Sequence, residues 1–199
     1  MRRVRACMSV VVVVAALLLE PVPAARALTC GGFRWPVKTL SDPAARRVHY
    51  RPVKNTSVRH LRKLDPPRAL MAATPRIRGV EFRTYRIHAE LIGARSMEDH
   101  DVHLAIRGPR NRTRRMIVEF PDPRCPGARD SIRRAGMKRA RNQILQACPR
   151  IGRGFVDLEG KVTIRGVGFW DKPAESSSPA PNGIELHPVL AFHGSCSSA

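Results

Sequence analysis

Apolar and polar positions alternate with the period of strands from Val80 onward. In VEFRTYRIHAELI, Val80 and Phe82 share one phase and Tyr85, Ile87, Ala89 and Leu91 share the other, which predicts a long strand with a bulge near Arg83 and Thr84. Gly93 to Asp99 reads as a turn. Val102, Leu104 and Ile106 then alternate with Asp101, His103, Ala105 and Arg107 as a half-buried strand. After a hairpin loop at 108–111, Met116, Val118 and Phe120 form the inward face of a third strand, which Pro121, Pro123 and Pro126 stop. The spacing turns helical in ARDSIRRAGMKRARNQILQA, where Ile132, Gly136, Met137, Ala140, Ile144 and Ala147 fall on one side. Asp130 or Ser131 is the expected N-cap, and Pro149 follows the end. GKVTIRGVGFW predicts a fourth strand, KPAESSSPAPNG a loop, and IELHPVLAF a last strand whose Pro188 argues for an edge or a break in pairing.

Three strands, a helix and two strands make a mainly β chain. The order is that of an OB-fold-like five-stranded barrel with its helix between strands three and four; a small α+β sandwich is the alternative. Upstream, residues 31–76 are rich in Pro and Arg and keep neither period, which predicts an extended arm that wraps the domain if Cys30 is bridged. The first residues carry Arg2, Arg3 and Arg5, an apolar run from Met8 to Leu19, and Ala25-Arg26-Ala27, the layout of a secretory signal. That run falls short of the ~20 apolar residues of a membrane span. The expected division is a signal at 1–27, an arm at 28–78, a barrel domain at 79–194 and a tail at 195–199, with export to the periplasm or beyond.

Export changes the reading of the cysteines. Cys7 leaves with the signal, and Cys30, Cys125, Cys148 and Cys196 are an even set in an oxidising compartment, where two disulfides are expected. Of the three possible pairings, Cys125 with Cys148 across the helix and Cys30 with Cys196 across the chain ends are the ones expected here. The formal charge is +20, and +17 once residues 1–27, with four arginines and one glutamate, are removed. Such an excess suits a polyanion, either nucleic acid or acidic polysaccharide, although abundant arginine is equally explained by coding composition. The contacts expected are Arg110, Arg112, Arg114 and Arg115 around the hairpin loop and Arg133, Arg134 and Lys138 on the helix. Phe169 and Trp170 face opposite ways, and Trp170 is the candidate for stacking on a base.

Candidate chemistry gathers in MEDHDVHL, residues 97–104. Glu98, Asp99 and His100 belong to a turn, whereas Asp101 and His103 share one face of the following strand. Glu119 on the third strand and Glu185 and His187 on the last are in the same outward phase. Asp101, His103, Glu119, Glu185 and His187 are therefore expected on one outer surface, either as cross-strand polar pairs in solvent or as a mixed nitrogen and oxygen site for a divalent cation. No motif demands a cofactor.

Two resemblances add to this. VTIRGVGFWDKP, APNGIELHPVLAF, DHDVHLAI and MIVEFPDPRC resemble a group of secreted bacterial proteins of unassigned activity, which implies export and a compact domain but no reaction. The element order also resembles staphylococcal-nuclease-like OB-folds. That resemblance implies a metal-dependent phosphodiesterase in which Asp99, Asp101 and Asp122 hold Ca²⁺ or another divalent cation and Arg114 or Arg115 neutralises phosphate. The position of that family's general-base glutamate is taken by Cys125. Three functions are thus expected in competition: a non-enzymatic polyanion-binding domain, a divergent nuclease, and a structural envelope-associated protein. Oligomeric state is left open by the sequence.

Overall fold

The computed structural model describes residues 29–148, 150–172 and 180–198. In chain order the elements are α1 (Trp35–Thr39), a 3₁₀ turn (Pro43–Arg47), β1 (His49–Thr56), α2 (Val58–Leu61), β2 (Arg83–Ser96), β3 (Val102–Gly108), β4 (Asn111–Phe120), α3 (Arg134–Ala147), β5 (Val156–Glu159), β6 (Lys161–Trp170), β7 (Ile184–Gly194) and β8 (Ser197–Ser198). The signal reading falls on residues 1–27, outside the described residues. Among the described residues no helix is long and apolar enough to cross a membrane.

β2, β3, β4, β7 and β6 pair in that order, and β6 closes on β2, giving a closed five-stranded barrel. All barrel pairings are antiparallel except β4 with β7. Numbered along the chain, the strands run 1-2-3-5-4, and α3 connects the third to the fourth, an arrangement compatible with an OB-fold-like domain. The alternation seen in the sequence sets which side chains fill it: Tyr85, Ile87, Leu91, Val102, Leu104, Ile106, Met116, Val118, Phe120 and Ile164 are all buried in one core. Each such aliphatic or aromatic side chain contributes roughly 1.5–3 kcal/mol by burial. Ala140 and Ile144 of α3 close the barrel end, near the edge-to-face pair of Phe120 and Phe192 at 6.0 Å.

Several expectations are corrected. β2 begins at Arg83, where its pairing with β1 shifts register between Arg83 and Tyr85, and a second irregularity, against β3, falls between Leu91 and Gly93. A Cβ at Gly93 would press into the Phe155 ring and the Val156 carbonyl, because β5 passes directly over it. Arg133 occupies the N-cap of α3, while Ser131 accepts from the Arg133 amide and donates to the Leu40 carbonyl; Ile132 precedes the helix and is exposed. β7 is an interior strand, so Pro188 is not at an edge, but the β6–β7 register shifts around it, which is the expected break in pairing.

The disulfides are Cys30–Cys125 and Cys148–Cys196, not the pairs expected. A 14-residue α3 is about 21 Å long. Cys125 before it and Cys148 at its end are thus too far apart, since bridged Cα atoms lie within about 7 Å of each other.

Residues 31–76, expected as an extended arm that wraps the domain if Cys30 is bridged, do lie on the barrel wall with Cys30 bridged to Cys125, and carry short elements there. β1 adds a parallel strand beside β2. Leu40, Ala45 and Val48 bury against Val167, Leu190, Ala128 and Met137 in a second apolar cluster outside the barrel. Charged side chains dock the segment as well. Arg34 grips Glu81 through two contacts of 2.6 and 2.7 Å, both groups fully buried, and also donates to the carbonyls of Thr74, Pro75 and Trp170. Arg76 binds Asp42 and the Val37 and Glu81 carbonyls. Arginines of this segment thus satisfy buried acceptors.

Candidate functional site

The layer between the barrel wall and α1 holds the residues singled out from MEDHDVHL and its partner strands. His103 stands opposite Glu119 across β3 and β4, and β4 runs parallel to β7 with Ile117 opposite Glu185 and Val118 opposite Leu186. Outward-phase residues of three strands therefore meet on one patch of wall. The solvent face expected for them is corrected: Asp101, Glu119, Glu185 and His187 are buried, and His103 is only partly exposed, because α1 covers the patch. α1 also brings Lys38, and the end of β6 brings Asp171.

Lys38 Nζ donates to Glu119 Oε2 at 3.3 Å and to Asp171 Oδ2 at 3.5 Å. Burial disfavours the ammonium, but Glu119, Glu185, Asp171 and Asp101 outweigh it and hold the Lys38 pKa above its ordinary value. Burial likewise opposes the Glu119 carboxylate, which His103, Lys38 and His187 nevertheless hold well below the usual range. Glu185 goes the other way: burial and the Glu119 charge raise it well above that range. For His187, burial opposes charge while Glu119 and Asp101 raise the pKa to about 9.

The polar atoms here are incompletely matched. His187 Nδ1 lies 3.0 Å from the Lys38 carbonyl, which can only accept, so Nδ1 carries a proton and Nε2 points the other way. Nε2 is 2.7 Å from Glu119 Oε2 and 3.3 Å from Asp101 Oδ2, yet neither contact is aligned as a hydrogen bond. Asp101 Oδ2, Glu119 Oε1, Glu185 Oε2 and His103 Nδ1 are also buried without an aligned partner. The donor atoms of Asp101, Glu119 and His187 lie within 4.8 Å of one another, as do those of Glu119, Asp171 and Glu185.

The set Asp99, Asp101 and Asp122 does not converge in this way. Asp99 Oδ1 accepts from the Asp101 amide, and Asp101 Oδ1 from the Asp122 amide. Both Asp122 oxygens face Arg124, and burial of that carboxylate is overcome by Arg124 and Arg141, which keep it below the usual range. Cys125 is bridged. These residues do not fit the Ca²⁺ centre that the nuclease resemblance implies, and no step is derived through it.

A second feature lies on the solvent side of β2, β6 and α3. Arg86 is directly opposite Arg165 across β2 and β6, and the next position across, on β1, is Asn55. Burial lowers the Arg165 pKa, and every charge that acts on it, from Arg133, Arg51, Arg86 and Arg139, lowers it further. Like charges facing across a sheet are destabilising, and among the described residues the charges that act on Arg165 are arginines. Arg165 Nε is buried without a partner. Of the contacts expected from the sequence, Arg133 joins this group and lies over the Tyr50 ring at 4.1 Å, with Arg134 and Lys138 exposed on the same helix. Arg110 is exposed in the hairpin turn, Arg114 is half-buried near Arg62, and Arg115 lines a groove with Arg95, His103 and Phe155; the Arg112 side chain is outside the described residues. Trp170 is corrected: it points into the barrel and is buried, while Phe169, in the outward phase, lies under Arg34 and Lys38.

Arg51, Arg86, Arg139 and Arg165 were missed, as were Lys38 and Asp171. The outward phase of Arg86 against Tyr85 and Ile87 was readable, but its pairing with Arg165 depends on register. Lys38 had a signal of its own, a lone ammonium in the apolar run from Trp35 to Leu40. Comparison with family models, characterised proteins and solved structures finds no match to this chain, so the closed five-stranded barrel is the part of either resemblance that stands.

Proposed function

We propose that this chain is an exported, disulfide-stapled barrel domain that binds a polyanion through the arginine face of β2, β6 and α3. The observation that carries the reading is the direct opposition of Arg86 and Arg165 within a group in which, among the described residues, the charges acting on Arg165 are other arginines. A protein that gained arginine through coding composition alone would scatter it. Concentrating it across paired strands costs stability, and an anionic ligand offsets that cost on binding.

The burial of Trp170 and the cover of Tyr50 by Arg133 favour recognition by backbone charge rather than by base stacking. The test is retardation of duplex DNA, single-stranded DNA, RNA and an acidic polysaccharide by the oxidised chain across a salt series. Retention that falls steeply with salt and depends little on sequence supports the reading. Equal loss of binding on removing any two exposed arginines would return the charge to composition.

A further inference from the structure

Three side chains in the layer under α1 share an arrangement that the polyanion reading does not use. Asp101 has one oxygen, Oδ1, tied to the Asp122 amide at 3.0 Å, and the other, Oδ2, without an aligned donor. His187 has Nδ1 tied to the Lys38 carbonyl and Nε2 turned toward Asp101 and Glu119. Glu119 offers Oε2 at 2.7 Å from that nitrogen, and its Oε1 lies 3.0 Å from His103 Nε2 without hydrogen-bond alignment. All three side chains are fully buried.

Misaligned close contacts of this kind are poor hydrogen bonds, but they are the separations found between neighbouring donors of one ion. Donors about 2.0–2.2 Å from a metal, at right-angle to tetrahedral vertices, stand about 2.8–3.5 Å apart. A backbone carbonyl on the far ring nitrogen is the usual support of a metal-binding imidazole. The carboxyl groups of Asp101, Glu119, Asp171 and Glu185 all face the Lys38 ammonium. The neighbouring trio of Glu119, Asp171 and Glu185 is the weaker place for an ion, since Lys38 already bridges two of its members.

We propose that Asp101, Glu119 and His187 bind one divalent first-row transition ion, with zinc as the probe, between the barrel wall and α1. The imidazole donor discriminates against Mg²⁺ and Ca²⁺, which prefer all-oxygen sites. Lys38 supplies both the carbonyl that orients His187 and an ammonium that weakens the ion's hold, so its side chain and its backbone act in opposite directions.

The experiment uses the oxidised chain refolded with chelator, then dialysed against Zn²⁺ or Co²⁺ with excess Mg²⁺. The expected results are one equivalent of Zn²⁺ retained per chain, a visible Co²⁺ ligand-field band, and a higher thermal midpoint with metal. Glu119→Gln and His187→Gln should lose at least about 100-fold in affinity, and Glu90→Gln, away from the layer, should lose none. Lys38→Met keeps all three ligands and the carbonyl and should bind Zn²⁺ about tenfold more tightly or better, because it removes a cation beside the site. That variant and the wild-type Co²⁺ spectrum remain decisive if the ligand variants fail to fold. A folded wild-type chain that retains no Zn²⁺, ligand variants that bind as well as wild type, or Lys38→Met binding no tighter would each overturn the proposal. None of these outcomes bears on polyanion binding.

Discussion

Replacing Arg86 and Arg165 by glutamine separates function from stability by sign. Five arginines act together on this face, Arg51, Arg86, Arg133, Arg139 and Arg165. If each neutralises one phosphate of duplex DNA, the slope of log K against log salt is about −4.5, and affinity falls about 500-fold between 50 and 200 mM salt. Removing two contacts brings the slope to about −2.7 and the loss over the same range to about 40-fold. Stability should move the other way. Two like charges directly opposite each other are relieved, which is worth up to about 1 kcal/mol. For a chain of this size that raises the thermal midpoint by about 2–4 °C. The assay is a fluorescence-anisotropy salt series alongside a melting curve, with Arg59→Gln/Arg68→Gln, which removes two exposed charges elsewhere, as the charge-matched control. A double variant that melts earlier, or that loses no more slope than the control, would refute the reasoning.

Other consequences are checked more simply. Cys30→Ser/Cys125→Ser opens a loop of 95 residues and should cost about 4–5 kcal/mol in urea unfolding; a loss below about 1 kcal/mol would mean the N-terminal segment is held without the bridge. Arg34→Met leaves Glu81 charged and buried and should cost about 3–5 kcal/mol, whereas adding Glu81→Leu should recover only part of it, because the Ile77 and Trp170 amides then lose their acceptor. Gly160 has φ +141°, and a Cβ there would meet the Ser195 carbonyl oxygen, so Gly160→Ala should destabilise by about 2–4 kcal/mol and loosen the β5–β8 pairing in hydrogen exchange. Tyr50 and Tyr85 are the two tyrosines of the chain, and burial raises both phenols above 10.0, against Arg76 and Arg133 for the first and Arg83 for the second. A raised folded-state pKa contributes stability that is complete below the unfolded value and is lost as pH climbs through the folded one. Tyrosinate absorbance of the native chain should therefore lag that of the urea-unfolded chain, and coincident titrations would contradict the burial argument.

The alternation of apolar residues by itself determined the five barrel strands, the helix between the third and fourth, and the outward phase shared by Asp101, His103, Glu119, Glu185 and His187. A strand's phase depends only on neighbours in sequence, so it can be read there. Whether that outward face meets water was decided by a segment about 60 residues upstream, whose short elements are too brief to show a period. The same holds for Trp170, for the disulfide partners across the length of α3, and for the meeting of Arg86 with Arg165. Each depends on register and on long-range packing, which place residues side by side by pairing whole strands and not by any local pattern.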